Sequence, residues 1–232
     1  MNYQLRHIAD IIGAEVRKET DIAIEHLLLD SRKVYAPATS LFFALKSTRR
    51  DGHQFIPDLY KKGVRSFVVS EIIDTSSYPE AQVLVVTDTL AALQELAAHH
   101  RQHFFIPVIG ITGSNGKTIV KEWLYQLLHE DFNIVRSPKS YNSQIGVPLS
   151  VWQMNEQNTL AIFEAGISKP GEMEKLEKII RPTIGVLTNI GEAHSEGFAN
   201  QAQKEGEKRK LFLNARIPTA LNIIEINKKL CT

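Results

Sequence analysis

A chain of 232 residues, 43% hydrophobic and 23% charged, has the composition of an ordinary soluble globular protein and room for one or two domains. Its formal net charge of +1 excludes a general electrostatic attraction to nucleic acid or to an anionic membrane. One cysteine, Cys231, excludes an internal disulfide framework, and no run of about 18 apolar residues offers a helix that could insert in a membrane.

The first sixteen residues alternate apolar with polar and contain no apolar core of signal-peptide length, so a cytoplasmic location is expected. From there to about residue 104 the pattern is that of a small α/β unit. Strands are expected over 40–45, 66–69 and 83–86, each short, apolar and bounded by polar residues, with helices over 54–62 and 89–103. A boundary falls between His103 and Pro107, giving domains of 1–104 and 105–232. Beyond it strands at 106–111, 133–135, 160–164, 184–188 and 219–223 alternate with helices at 117–130, 171–180 and 201–214. That alternation is the signature of a parallel sheet with crossover helices. Residues 223–232 add no further strand–helix unit.

The most informative segment joins the first strand of the second domain to its first helix. The apolar run Val108-Ile109-Gly110-Ile111 passes into Thr112-Gly113-Ser114-Asn115-Gly116-Lys117-Thr118, and a helical pattern follows with Val120, Trp123, Leu124 and Leu127. In a strand–loop–helix of this kind, backbone N–H groups and the positive end of the helix dipole face a phosphate, and glycines let the backbone approach it. Lys117 is placed to reach terminal phosphates and the Thr118 hydroxyl to ligate Mg²⁺. The glycine usual five positions before Gly116 is replaced by Ile111, so this is a shorter loop.

Ligands of open parallel sheets sit at the carboxyl ends of the strands, where the other chemically interesting residues also fall. Glu164 ends a strand and is either a solvated strand end or a hard oxygen ligand for a metal–phosphate complex. His194, in the segment that starts at Asn189, is a structural or exposed loop histidine unless a metal recruits it. Lys204, Lys208, Arg209 and Lys210 read by default as a solvated basic helix face, and the cluster from His99 to His103 as a polar helix end. In the first domain Asp30-Ser31-Arg32 and Asp51-Gly52-His53 read as capped turns. Asn142-Ser143-Gln144 opens either a turn with a helix start or a substrate loop.

Taken together and in this order, these clusters resemble the Mur ligase family, cytoplasmic ATP-dependent enzymes that extend the UDP-linked muramyl precursor of peptidoglycan. The similarity lies in Asp30-Ser31-Arg32, Asp51-Gly52-His53, the short loop 112–118, Asn142-Ser143-Gln144-Ile145-Gly146-Val147-Pro148 and the stretch from Asn189 to Phe198. Within the family, Glu164-Ala165-Gly166-Ile167 followed by Pro170-Gly171-Glu172-Met173 resembles the members that add D-alanyl-D-alanine.

The resemblance implies an α/β fold: a small N-terminal uridine-nucleotide-binding domain followed by an incomplete P-loop parallel-sheet ATP-binding domain. It implies ATP held by Gly113, Ser114, Asn115, Gly116, Lys117, Thr118 and Asn189, and Mg²⁺ held by Thr118 and Glu164, with His194 at a second ion. It implies UDP-N-acetylmuramoyl-tripeptide contacts from Ser31, Arg32, Asp51, His53, Asn142 and Ser143. Lys117, His194 and a carbamylated lysine serve catalysis. Family spacing puts that lysine at Lys208, with Lys204 as a rival, although the usual Lys-Gly-Glu is here Lys208-Arg209-Lys210. The implied reaction forms an acyl phosphate that the amine of D-alanyl-D-alanine attacks. The family's C-terminal domain, and the alanine racemase to which some relatives are fused, are missing from the chain, which is expected to be a truncated and weakly active or inactive ligase. Two alternatives remain at this point: a non-catalytic UDP-muramyl-peptide binding module, or a different P-loop enzyme or amino-acid ligase.

Overall fold

A computed structural model describes residues 2–16, 22–48, 50–191 and 197–215, together with the backbone of Ile217–Asn222. The chain divides into two compact units, Met1–Leu96 and Ala97–Thr232.

The first unit contains β1 (Tyr3–Gln4), α1 (Leu5–Ile11), β2 (Glu15–Val16), β3 (Ala23–Ile24), β4 (His26–Leu28), β5 (Ser40–Phe43), α2 (Ile56–Lys61), β6 (Ser66–Val69), β7 (Gln82–Val85) and the start of α3 (Thr89–Gln102). Its main sheet has the order β2-β7-β6-β5-β4, with β4 to β7 parallel and β2 antiparallel at one edge. β5 and β6 are buried at every position, which is why Leu41-Phe42-Phe43 and Phe67-Val68-Val69 are runs rather than alternations. The segment 1–16, which reads by eye as alternating, carries a helix instead. Leu5, Ile8 and Ala9 are its buried residues, the i, i+3, i+4 spacing of one helix face.

The second unit contains β8 (Val108–Thr112), α4 (Lys117–Leu128), β9 (Ile134–Arg136), α5 (Gly146–Val151), β10 (Leu160–Glu164), α6 (Glu172–Ile180), β11 (Ile184–Leu187), α7 (Gln201–Arg209) and β12 (Ile217–Asn222). All its strands are parallel, in the order β12-β11-β8-β10-β9. Side chains alternate between two layers as the pleat demands. Val108, Ala161 and Phe163 meet α5 and α6 on one face. Ile109, Ile111 and Ile162 meet Val120, Leu124 and Leu128 of α4 on the other. The helix expected over 201–214 is shorter: α7 ends at Arg209 and a tighter turn, Lys210–Phe212, carries the chain toward β12.

Of the cluster at the end of α3, His100 and Arg101 are buried, while Gln102 and His103 are exposed as a polar helix end would be. Arg101 donates to the carbonyls of Ile180 (2.9 Å) and Arg181 (3.1 Å), placing a cation on the negative end of α6. His100 is 2% exposed, shares a hydrogen bond of 3.0 Å with the Met154 carbonyl and packs against Phe104 and Trp152. Burial pulls its pKa down to about 4. The unfolded chain, with His100 near 6.5, therefore binds more protons between pH 6.5 and 4, so stability is full above pH 6.5 and falls as pH drops through that window. Between pH 7 and 5 His100 should cost roughly 2 kcal/mol. Urea unfolding of the chain and of H100Q at both values checks this: the stability difference between them should shift by about that amount in favour of the variant at pH 5.

Candidate active site around the phosphate loop

Loop 113–116 leaves the carboxyl end of β8 and enters α4, and it is held from behind by the chain that leaves β11. The Asn189 carbonyl accepts from Ser114 N–H (2.9 Å), and its side-chain oxygen accepts from Asn115 N–H (2.8 Å). Thr188 Oγ1 donates to the Asn115 carbonyl at 2.6 Å, and Ser114 Oγ lies 3.0 Å from Gly191 N, which donates to it. Gly113 and Gly116 both have positive φ, +146° and +81°. Gly116 caps α4 in the left-handed region, which glycine adopts at no steric cost.

Cations crowd the inner side of this loop. Lys117 Nζ donates to the Gly113 carbonyl at 2.9 Å, and Lys208 Nζ donates to the same oxygen at 3.1 Å. Lys204 Nζ donates to the Gly191 carbonyl at 2.5 Å. The expectation of a solvated basic face on α7 is overturned for two of its lysines: Lys204 is 1% and Lys208 3% exposed. Their partners are loop carbonyls of the phosphate site, which a helical-wheel reading of α7 alone cannot see. Burial draws Lys117 below the ordinary lysine range, an effect Glu164 opposes and Lys204 reinforces. Lys208 is drawn down to about 8, first by burial and then by the ammonium groups of Lys117 and Lys204. Such a lysine is neutral in about a tenth of molecules at pH 7. Lys210 bridges Glu174 of α6 (2.8 Å) and Glu207 of α7 (2.7 Å).

Glu164 ends β10 with no exposed surface, so it is not a solvated strand end. Thr118 Oγ1 donates to its Oε2 at 3.0 Å, and Asn142 Nδ2 lies 3.5 Å from the same oxygen. Its Oε1 has no aligned hydrogen-bond donor and relies on the ion pair with the Lys121 ammonium, 3.0 Å away. A buried carboxylate with incompletely satisfied oxygens next to a threonine hydroxyl is a donor set suited to a hard cation such as Mg²⁺. Ser143 serves its own turn, its Oγ accepting from Gly146 N–H at 3.1 Å. His194 lies outside the described residues.

Sequence reasoning missed Lys121. The available signal was a lysine three residues after Thr118, beside Val120 and Leu124, where a charge faces the sheet rather than the solvent.

In the first unit the singled-out residues follow the carboxyl ends of β4 and β5, neighbouring parallel strands, and so share one edge of that sheet. Arg32 is exposed and forks onto Asp30, both contacts at 2.8 Å, which holds the Asp30 carboxyl well below the usual range. The Ser31 carbonyl accepts from Lys62 Nζ at 3.0 Å. Asp51 accepts from His53 N–H (2.9 Å) and lies 2.6 Å from its Nδ1, while His53 Nε2 accepts from Ser70 N–H at 3.1 Å. These contacts fix the Nδ1–H tautomer and fasten the loop after β5 to the end of β6. Gly52 is required there because a Cβ would lie 2.8 Å from the Ala44 backbone.

A short glycine loop between a buried parallel strand and a helix, backed by lysines and faced by a carboxylate, defines a phosphate-loop nucleotide-binding unit; here it follows a second parallel-sheet unit. The family description "Mur ligase middle domain" matches residues 111–230, and "Mur ligase family, catalytic domain" matches residues 23–101. The chain belongs to the Mur ligase family, a family of enzymes.

Among its relatives is the UDP-N-acetylmuramoyl-tripeptide–D-alanyl-D-alanine ligase of Synechocystis, 38% identical over 174 residues, covering 75% of this chain and 38% of that protein. The enzyme of the same name from Bacillus subtilis is 33% identical, covering 85% of this chain and 43% of that protein. Among solved structures, MurF from Acinetobacter baumannii superposes with a TM-score of 0.85 at 28% identity, covering 95% of this chain and 48% of that one. MurF ligase from Thermotoga maritima in complex with ADP gives 0.73 at 29% identity, covering 83% and 44%. The chain thus spans less than half the length of these relatives. Among the described residues no helix is long and apolar enough to cross a membrane.

Proposed function

We propose that the chain carries the nucleotide-sugar-binding and ATP-binding parts of a ligase that joins D-alanyl-D-alanine to UDP-N-acetylmuramoyl-tripeptide. The observation that carries this reading is the placement of Thr118 3.0 Å from the buried Glu164, at the foot of a loop lined by Lys117 and Lys208. Lys117 and the backbone N–H groups at the start of α4 would hold the ATP phosphates, and Thr118 and Glu164 would hold Mg²⁺, which neutralises phosphate charge when bound. The peptide carboxylate attacks the γ-phosphate to give an acyl phosphate and ADP; the dipeptide amine then attacks that carbonyl and phosphate leaves. In phosphoryl transfer the protein's part is positioning and charge stabilisation, so buried lysines around the transferring group are what the step needs. The neutral fraction of Lys208 supports its reading as the lysine that takes up carbon dioxide, with His194 at a second ion. Ser31, Arg32, Asp51, His53, Asn142 and Ser143 belong to the UDP-muramyl side, His53 by holding Asp51 in place.

Calorimetry tests the reading. The chain should bind ADP with Mg²⁺ and should bind UDP-N-acetylmuramoyl-tripeptide separately. K117A should weaken the first by at least about tenfold, the equivalent of ~1.4 kcal/mol, and leave the second unchanged. A chain that binds neither ligand sinks the proposal.

A further inference from the structure

Lys121 has no role in the reading above, yet it is among the largest side chains that are completely buried, and its ammonium sits directly behind the proposed metal ligand. It lies 3.0 Å from Glu164 Oε1 and 3.2 Å from Glu122 Oε1, donates to the Ser137 carbonyl at 2.8 Å and also donates to the Lys139 carbonyl. Thr118 and Lys121 are three residues apart on one face of α4, and each takes one oxygen of the same carboxylate. The residue also ties the exit of β9, where Lys139 has a φ of +51°, to the phosphate-loop helix.

We infer that Lys121 is a positioning residue that turns Glu164 Oε2 toward the phosphate loop and balances its charge, so that the site accepts a divalent cation only together with a polyphosphate. This rests on the nucleotide-site reading proposed above. A lone divalent cation at Oε2 gains one carboxylate charge but meets the ammonium groups of Lys121 and Lys117 at close range in a poorly screened interior. A cation that arrives with a polyphosphate brings the negative charge that reverses this balance. Glu164 and Lys121 are present in both cases, so the polyphosphate charge decides between them, and loss of the Lys121 ammonium removes part of the repulsion that a lone cation meets.

Paramagnetic resonance of free Mn²⁺ reads the occupancy. The unaltered chain should take up Mn²⁺ with ADP present and take up little without it. K121M should bind Mn²⁺ alone at least about ten times more tightly than the unaltered chain, a gain that a misfolded variant cannot produce. The gain should disappear in K121M/E164Q. A folded K121M with no gain, or a gain that survives in the double variant, overturns the inference. If K121M does not fold, the unaltered chain decides it: uptake of Mn²⁺ alone as tight as uptake with ADP overturns it, and dependence on ADP supports it. An unaltered chain that binds neither ADP nor Mn²⁺ with ADP instead overturns the nucleotide-site reading, and this inference falls with it.

Discussion

Glu164→Ala is expected to destabilise the second unit by about 3–5 kcal/mol, among the largest effects of any single substitution in this chain. Both partners of the Glu164–Lys121 pair are completely buried, so removal of the carboxylate strands an ammonium where water cannot reach it. Glu122, 3.2 Å from the same ammonium, takes up part of the charge and places the loss toward the lower end of that range. The Thr118 hydroxyl and the Asn142 amide lose their acceptor in the same step. Glu164→Gln retains the volume and one carbonyl oxygen and should cost less. Urea unfolding of the single variants and of K121M/E164Q gives the coupling directly: the double variant should recover a large part of the sum of the single losses. Strict additivity would show that the pair does not act as a unit.

This interaction also marks where sequence reading stops. In each unit the central strands were legible because β5 and β6 of the first and β8 and β10 of the second are nearly continuous apolar runs, the pattern of strands covered on both faces. Observed bounds for β6 and β10 equal the expected ones, and the others shift by a residue or two. β1 to β4 escaped notice because strands of two or three residues are too short to show a period, and they lack the strand–helix alternation that marked the equally short β9. The phosphate loop was legible from local chemistry alone, since strand, glycines and lysine are contiguous. Lys204 and Lys208 were not, because their carbonyl partners, Gly191 and Gly113, lie on loops outside their own helix, the second 95 residues away in sequence, and a charged helix face is solvated by default. The same holds for Lys121, whose four partners lie on three separate segments. Contacts of this kind follow from topology, and topology is fixed only when the sheet order is known.

Gly113→Ala is expected to abolish the loop's function while leaving the rest of the unit folded. A Cβ at this position would stand 1.9 Å from Thr188 Oγ1 and 3.1 Å from the backbone of Asn189, at a φ of +146° that side-chain-bearing residues rarely adopt. The backbone conformation alone costs about 1–3 kcal/mol. Relief of the clash must move Thr188, whose hydroxyl donates to the Asn115 carbonyl at 2.6 Å, and so must loosen the turn that presents the N–H groups. The two effects together correspond to a loss of roughly a hundredfold or more in affinity for ADP with Mg²⁺, measurable by calorimetry. Gly191→Ala is the matched control: among the described residues its Cβ would meet nothing closer than 3.8 Å, so affinity should stay within a few-fold of the unaltered chain. Removing the obstructing hydroxyl in G113A/T188A should restore only part of the binding, because φ remains strained and the Asn115 carbonyl loses its donor. Full restoration would place the whole cost in the clash and none in the backbone.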